Sequence, residues 1–93
     1  MRIIGQIEHP VLKITVFRSD NRISVKFENE GYEQTYKLGA DERLGDVESI
    51  RKWADPLLLE EILERMQQMH RGKLGALLRA FPTDGSAEFE DII

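Results

Sequence analysis

The chain has 93 residues, 41% of them hydrophobic and 32% charged, which is room for one ordinary globular domain with a modest core. It contains no cysteine, so disulfides, thiolate zinc sites and a cysteine nucleophile are excluded together. The net charge of −4 belongs to residues 82–93, which hold Asp84, Glu88, Glu90 and Asp91 and no basic residue, while residues 1–81 balance 13 acidic against 13 basic side chains.

A neutral body argues against a strong non-specific nucleic-acid binder, which carries a basic surplus. The opening MRIIGQIEHPVLKITVF is interrupted by Arg2, Gln6, Glu8 and Lys13 and has no small-residue cleavage site, so it does not read as a signal peptide. No run approaches the ~18 apolar residues of a membrane span. The expected location is the cytoplasm, with no membrane partner.

Four segments alternate at period two. Ile3, Gly5 and Ile7 share one face of the first, and Leu12, Ile14 and Val16 one face of the second. Ile23, Val25 and Phe27 follow in the third, then Tyr32, Gln34, Tyr36 and Leu38 in the fourth. This is the strand signal, with one face buried and one wet. Asp20-Asn21 suits a two-residue turn, and the register it sets puts Val16 opposite Val25 and Ile14 opposite Phe27. Glu28-Asn29-Glu30-Gly31 reads as a turn in which Gly31 supplies a positive φ. At His9-Pro10 two outcomes stay open. A tight hairpin would match Ile7 with Leu12 and Ile3 with Val16, and the alternative is a looser connection.

Helix follows. Asp46 is an N-cap for a short helix ending near Trp53, with Val47, Ile50 and Ala54 on one face. Asp55-Pro56 starts a second helix, because proline fits the first helical position. Leu59, Ile62, Leu63, Met66 and His70 form its apolar stripe. It either stops near Arg71, weakened by Gly72 and Gly75, or runs on to Ala80 before Pro82 ends it. The predicted fold is α+β: a four-stranded antiparallel meander, then one short and one long amphipathic helix on one sheet face. The domain spans residues 1–81, and residues 82–93 form an acidic tail expected to be disordered.

Catalytic and metal signals are weak. His9 and His70 have no ligand-type neighbours at zinc spacing. Ser19, Ser24, Ser49 and Ser86 lie in no G-x-S-x-G or S-x-x-K arrangement, and no phosphate-binding glycine loop is present. No enzyme activity, cofactor or metal is expected. His70, a polar residue inside an apolar stripe, reads either as a satisfied, partly buried histidine or as a pH-sensitive contact.

Two surfaces remain. Surplus apolar residues on the long helix, Met69, Leu74, Leu77, Leu78 and Phe81, predict a non-enzymatic protein-interaction module that pairs with itself as a homodimer or with another protein. The alternative is a weak single-strand nucleic-acid binder using Lys13, Phe17, Arg22, Lys26 and Lys37 on the outward sheet face, tempered by the acidic tail. The plainer reading of that face is a solvated surface with ion pairs such as Lys26 with Glu33 or Glu28 with Lys37.

The run ITVF…N-R-x-S-V-K-F-E…Y-E-Q-T-Y-K, with the later RKWADPLLLEEILERMQQMHR, resembles a family of small bacterial proteins without an assigned activity. The resemblance covers about two-thirds of the chain and implies no site residue. In element order alone, a four-strand meander followed by helix is similar to the single-strand-binding coactivator and Whirly-type domains, and no residue motif of those families is present.

Overall fold

The computed structural model describes residues 1–82. Its strands are β1 (Arg2–Ile7), β2 (Lys13–Ser19), β3 (Arg22–Glu28) and β4 (Glu33–Gly39). They pair antiparallel in the order β1-β2-β3-β4, so β1 and β4 are the edges. A short turn of 3-10 helix, Glu42–Leu44, leads to α1 (Val47–Trp53) and α2 (Pro56–Ala80). The α+β meander-then-helix order is as the periodicity predicts. The acidic tail, apart from Pro82, lies outside the described residues.

The β2–β3 register is the predicted one, with Ile14 opposite Phe27 and Val16 opposite Val25. Asp20 takes the positive φ of 58° that the two-residue turn demands. The β1–β2 connection is the looser of the two alternatives, matching Ile7 with Ile14. Among the described residues every peptide bond is trans, and His9 holds this loop: its Nδ1 accepts from the Val11 and Leu12 amides, each at 3.1 Å.

Three expectations are corrected. A bulge at Ile4 shifts the phase of β1, so Ile3 pairs with Phe17 on the outer face and is 58% exposed rather than inward. Gly31 has no positive φ. Asn29 closes the β3–β4 turn instead, its side-chain oxygen accepting from the Gly31 amide and its own amide donating to the Tyr32 carbonyl. The outer face is also less wet than alternation implies, since Thr15, between Gln6 and Lys26 across the strands, is only 2% exposed.

Both helices are capped as predicted. Asp46 accepts from the Ser49 amide at 2.8 Å, and Asp55 accepts from the Leu58 amide at 2.9 Å with Pro56 just inside the helix. The helix also resolves the question at Gly72, running on through Gly72 and Gly75 to Ala80. A Cβ at Gly72 would meet nothing, so this glycine answers no packing demand and costs helix propensity of about 1 kcal/mol relative to alanine.

The core gathers Ile14 and Val16 of β2, Ile23, Val25 and Phe27 of β3, Ile50 of α1, and Ile62 and Met66 of α2, with Ile7 and Leu12 at its margin. The core-side residues of β4, Gln34, Tyr36 and Leu38, are only half-buried. Tyr36 packs edge-on against Phe27 and Trp53, and Trp53 tilts against Phe27, which ties α1 to the centre of the sheet.

In the loop before α1, Asp41 and Arg43 form a two-point ion pair, with Nε and Nη2 at 3.0 and 2.7 Å from the two carboxylate oxygens. This hydrogen bonding, joined by the Arg43 amide, lowers the Asp41 pKa from 3.8 to about 2. A depressed carboxyl value means that its contribution is complete above the unfolded value and is lost as pH falls from about 4 towards 2. The Asp41 carboxyl carbon should therefore titrate near pH 2 by NMR, and Arg43→Gln should raise it part of the way to the ordinary range, because the backbone amide of residue 43 still donates to it.

Candidate functional site

The first surface is the far end of α2. The helix runs antiparallel to β4: Gln34 Nε2 donates to the Ile62 carbonyl at 2.8 Å, Arg65 Nη1 donates to the Tyr36 hydroxyl at 3.0 Å, and Tyr32 meets His70. Twenty-five residues rise about 37 Å, whereas a seven-residue strand spans about 23 Å. The helix is therefore roughly 14 Å longer than the strand it runs along. The last contacts to the sheet come from His70 and from Lys73, whose ammonium lies over the Tyr32 ring.

Beyond that point the apolar stripe continues without joining the core. Leu74 and Leu77 are half-buried but belong to no core contact, Leu78 is 47% exposed and Phe81 64%. Met69 stands apart, 39% exposed on the flank of the helix. The structure thus brings four of the five predicted contact residues into one row and leaves Met69 on a neighbouring one. Charge along α2 is polarised: Glu60, Glu61 and Glu64 precede Arg65, Arg71, Lys73 and Arg79, and residues 65–81 contain no acidic side chain. Cations near a helix C-terminus complement its dipole.

Where the helix leaves the sheet, a cleft of about 590 Å³ opens between the β1–β2 loop, the β3–β4 turn and α2, with Val11, Tyr32, His70 and Lys73 on its walls. The Tyr32 hydroxyl and His70 Nδ1 share a hydrogen bond of 2.7 Å, while Nε2 is buried with no partner among the described residues. His70 is thus satisfied on one side only, and by a tyrosine from the sheet. An unpaired buried N–H or ring nitrogen costs about 1–3 kcal/mol. No sequence signal links residues 32 and 70, because they meet only when α2 lies along β4.

The second surface is the outer sheet face. Lys26 lies over the Phe17 ring at 5.5 Å and pairs with Glu28 at 3.4 Å. Lys13 stands opposite Glu28, Lys37 opposite Ser24, and Arg22 opposite Ser19 at the far end. Lys26 finds its acidic partner two residues along its own strand instead of across to Glu33, and Glu28 stands directly opposite Glu33. The five residues proposed for nucleic acid share a face, but the one aromatic ring among them is already taken by a lysine that is itself paired.

No protein-family model, curated protein or solved structure matches the chain. Function therefore has to be read from these surfaces. Among the described residues no group of three or more His, Asp or Glu could hold a metal ion, and no helix is long and apolar enough to cross a membrane.

Proposed function

We propose that the chain is a non-enzymatic, homodimeric protein-interaction module whose contact surface is the overhanging end of α2. The observation that carries this reading is the row Leu74, Leu77, Leu78 and Phe81, projecting past the sheet on a helix too long for the core it covers. An exposed contiguous apolar row with a charged border is the usual mark of a docking site. Its border is basic, from Arg71, Lys73 and Arg79, so the partner surface it fits is an apolar groove with an acidic rim.

Two copies of this end make a weak seam by themselves. The overhang, residues 74–80, presents a footprint of about 10 Å by 10 Å. A stable interface buries roughly 800 Å² per partner. Laying two such ends together also gathers like charges. The row therefore suits a separate protein partner, and the homodimer calls for a larger surface. The non-enzymatic part of the reading is supported by the employment of both histidines in local structure, His9 in its loop and His70 with Tyr32.

The test is whether the row belongs to the fold. Leu77→Ser with Phe81→Ser should leave unfolding stability within about 0.5 kcal/mol of the parent, as surface changes do. The same pair should abolish capture of any partner retained through a photo-crosslinker placed at Leu78. A stability loss of about 2 kcal/mol or more would mean that the row completes the monomer's own core, and the reading would fall.

A further inference from the structure

We infer that β4 is the dimer seam: two copies pair antiparallel, edge to edge, about a two-fold axis through Thr35. This rests on the homodimeric part of the reading above and is independent of what docks on the end of α2.

The two sheet edges differ. β1 is interrupted by its bulge at Ile4 and is packed against α1 through Gly5 and Val47. β4 has its single irregularity at Leu38, leaving Glu33 to Lys37 as five regular residues without proline. Among the described residues no backbone group outside the sheet bonds to this stretch. A regular, unprotected edge is a template for another strand. The half-burial of Gln34, Tyr36 and Leu38 on the core side shows the same lack of a neighbour.

Charge then selects the register. In an antiparallel pair that keeps each face of the sheet continuous, opposed residues have the same parity. Centring on Thr35 sets Glu33 opposite the partner's Lys37 and Lys37 opposite the partner's Glu33, with threonine opposite threonine. These are favourable cross-strand pairs, and they occur twice by symmetry. Centring on Gln34 or Tyr36 leaves both charges without a counterpart.

The same axis enlarges the contact. Because α2 runs above β4, it brings the two α2 helices alongside each other, antiparallel. The flank on the β4 side holds Leu58, Glu61, Arg65 and Met69 at i, i+3, i+7 and i+11. Across the axis Glu61 faces Arg65 and Leu58 faces Met69, so the flank is self-complementary too. This gives Met69, left out of the overhanging row, a place in the seam.

The test uses sedimentation equilibrium of the full chain, with circular dichroism to verify folding. Glu33 and Lys37 are exposed, so neither substitution disturbs the core. Glu33→Lys alone and Lys37→Glu alone should each weaken the dimer on the order of tenfold to fiftyfold, two attractive pairs becoming two repulsive ones. Mixing the two single variants should restore parental affinity as a heterodimer, and so should combining both substitutions in one chain. Thr35→Cys, the only thiol in the molecule, should cross-link two copies under mild oxidation. A parental dimer indifferent to both charges but broken by Leu77→Ser with Phe81→Ser would overturn the β4 seam and leave the homodimer standing on the helical row. A strict monomer at high micromolar concentration would overturn both.

Discussion

Phe27→Ala should cost about 3–5 kcal/mol of unfolding free energy. A domain of this size holds about 5–14 kcal/mol in all, so the variant should be close to the edge of folding. Phe27 is fully buried at the centre of the sheet, with Tyr36 edge-on at 5.6 Å and Trp53 tilted at 6.1 Å between ring centroids. Removing the ring forfeits its burial and both aromatic contacts, and it leaves a cavity that β3 and α1 cannot close without moving. Trp53 is the only tryptophan and reports directly on this cluster, so denaturant unfolding followed by its fluorescence is the measurement. The midpoint should fall with little change of slope. Phe17→Ala, on the outer face, is the matched control and should cost far less. Similar losses at the two positions would mean that the helices do not cover the face assigned to them.

Gly5→Ala should destabilise by about 1–3 kcal/mol, the usual cost of overpacking. A methyl group there would stand 2.6 Å from Cγ2 of Val47, inside van der Waals contact. Val47 opens α1 and cannot rotate freely, because a β-branched residue in a helix has essentially one rotamer. Either β1 or α1 must therefore shift. Val47→Ala removes the obstacle, so a double-mutant cycle should show the Gly5→Ala penalty largely relieved in that background. Additive losses would place the cost in β1 itself and not in its contact with α1. At this pair the first strand and first helix press together, which explains why β1 carries a glycine where other positions of the strand carry branched side chains.

Most of the fold was legible because local chemistry and global packing agree. Period-two alternation, Asp20-Asn21 at the turn, Asp46 and Asp55 at the caps and Pro56 inside the second helix each act within a few residues of themselves, and each appears as read. The register of β2 on β3 followed too, since any one-residue slip would have turned Phe27 to water.

The failures share a cause, which is that a neighbour distant in sequence decided the outcome. Ile3 reads as core until the bulge next to Gly5 inverts it, and that glycine is required by Val47, some forty residues away. Gly31 reads as a left-handed residue until the Asn29 side chain closes the turn without it. At Gly72 the sequence left two endings open, and tertiary structure chose between them: a helix already anchored on the sheet by Ile62 and Met66 has nucleated, and one exposed glycine does not stop it.

The candidate surfaces divide in the same way. The apolar excess of Leu74, Leu77, Leu78 and Phe81 is a sequence fact, readable from helical spacing alone. Its exposure is not, because it depends on α2 being longer than the strands it covers. The Tyr32–His70 contact and the pairing of Lys26 with both Phe17 and Glu28 needed the chain to be folded. So did the standing of β4 as an open edge: its sequence carries Glu33 and Lys37 symmetrically about Thr35, but only strand order puts β4 last in the sheet among the described residues.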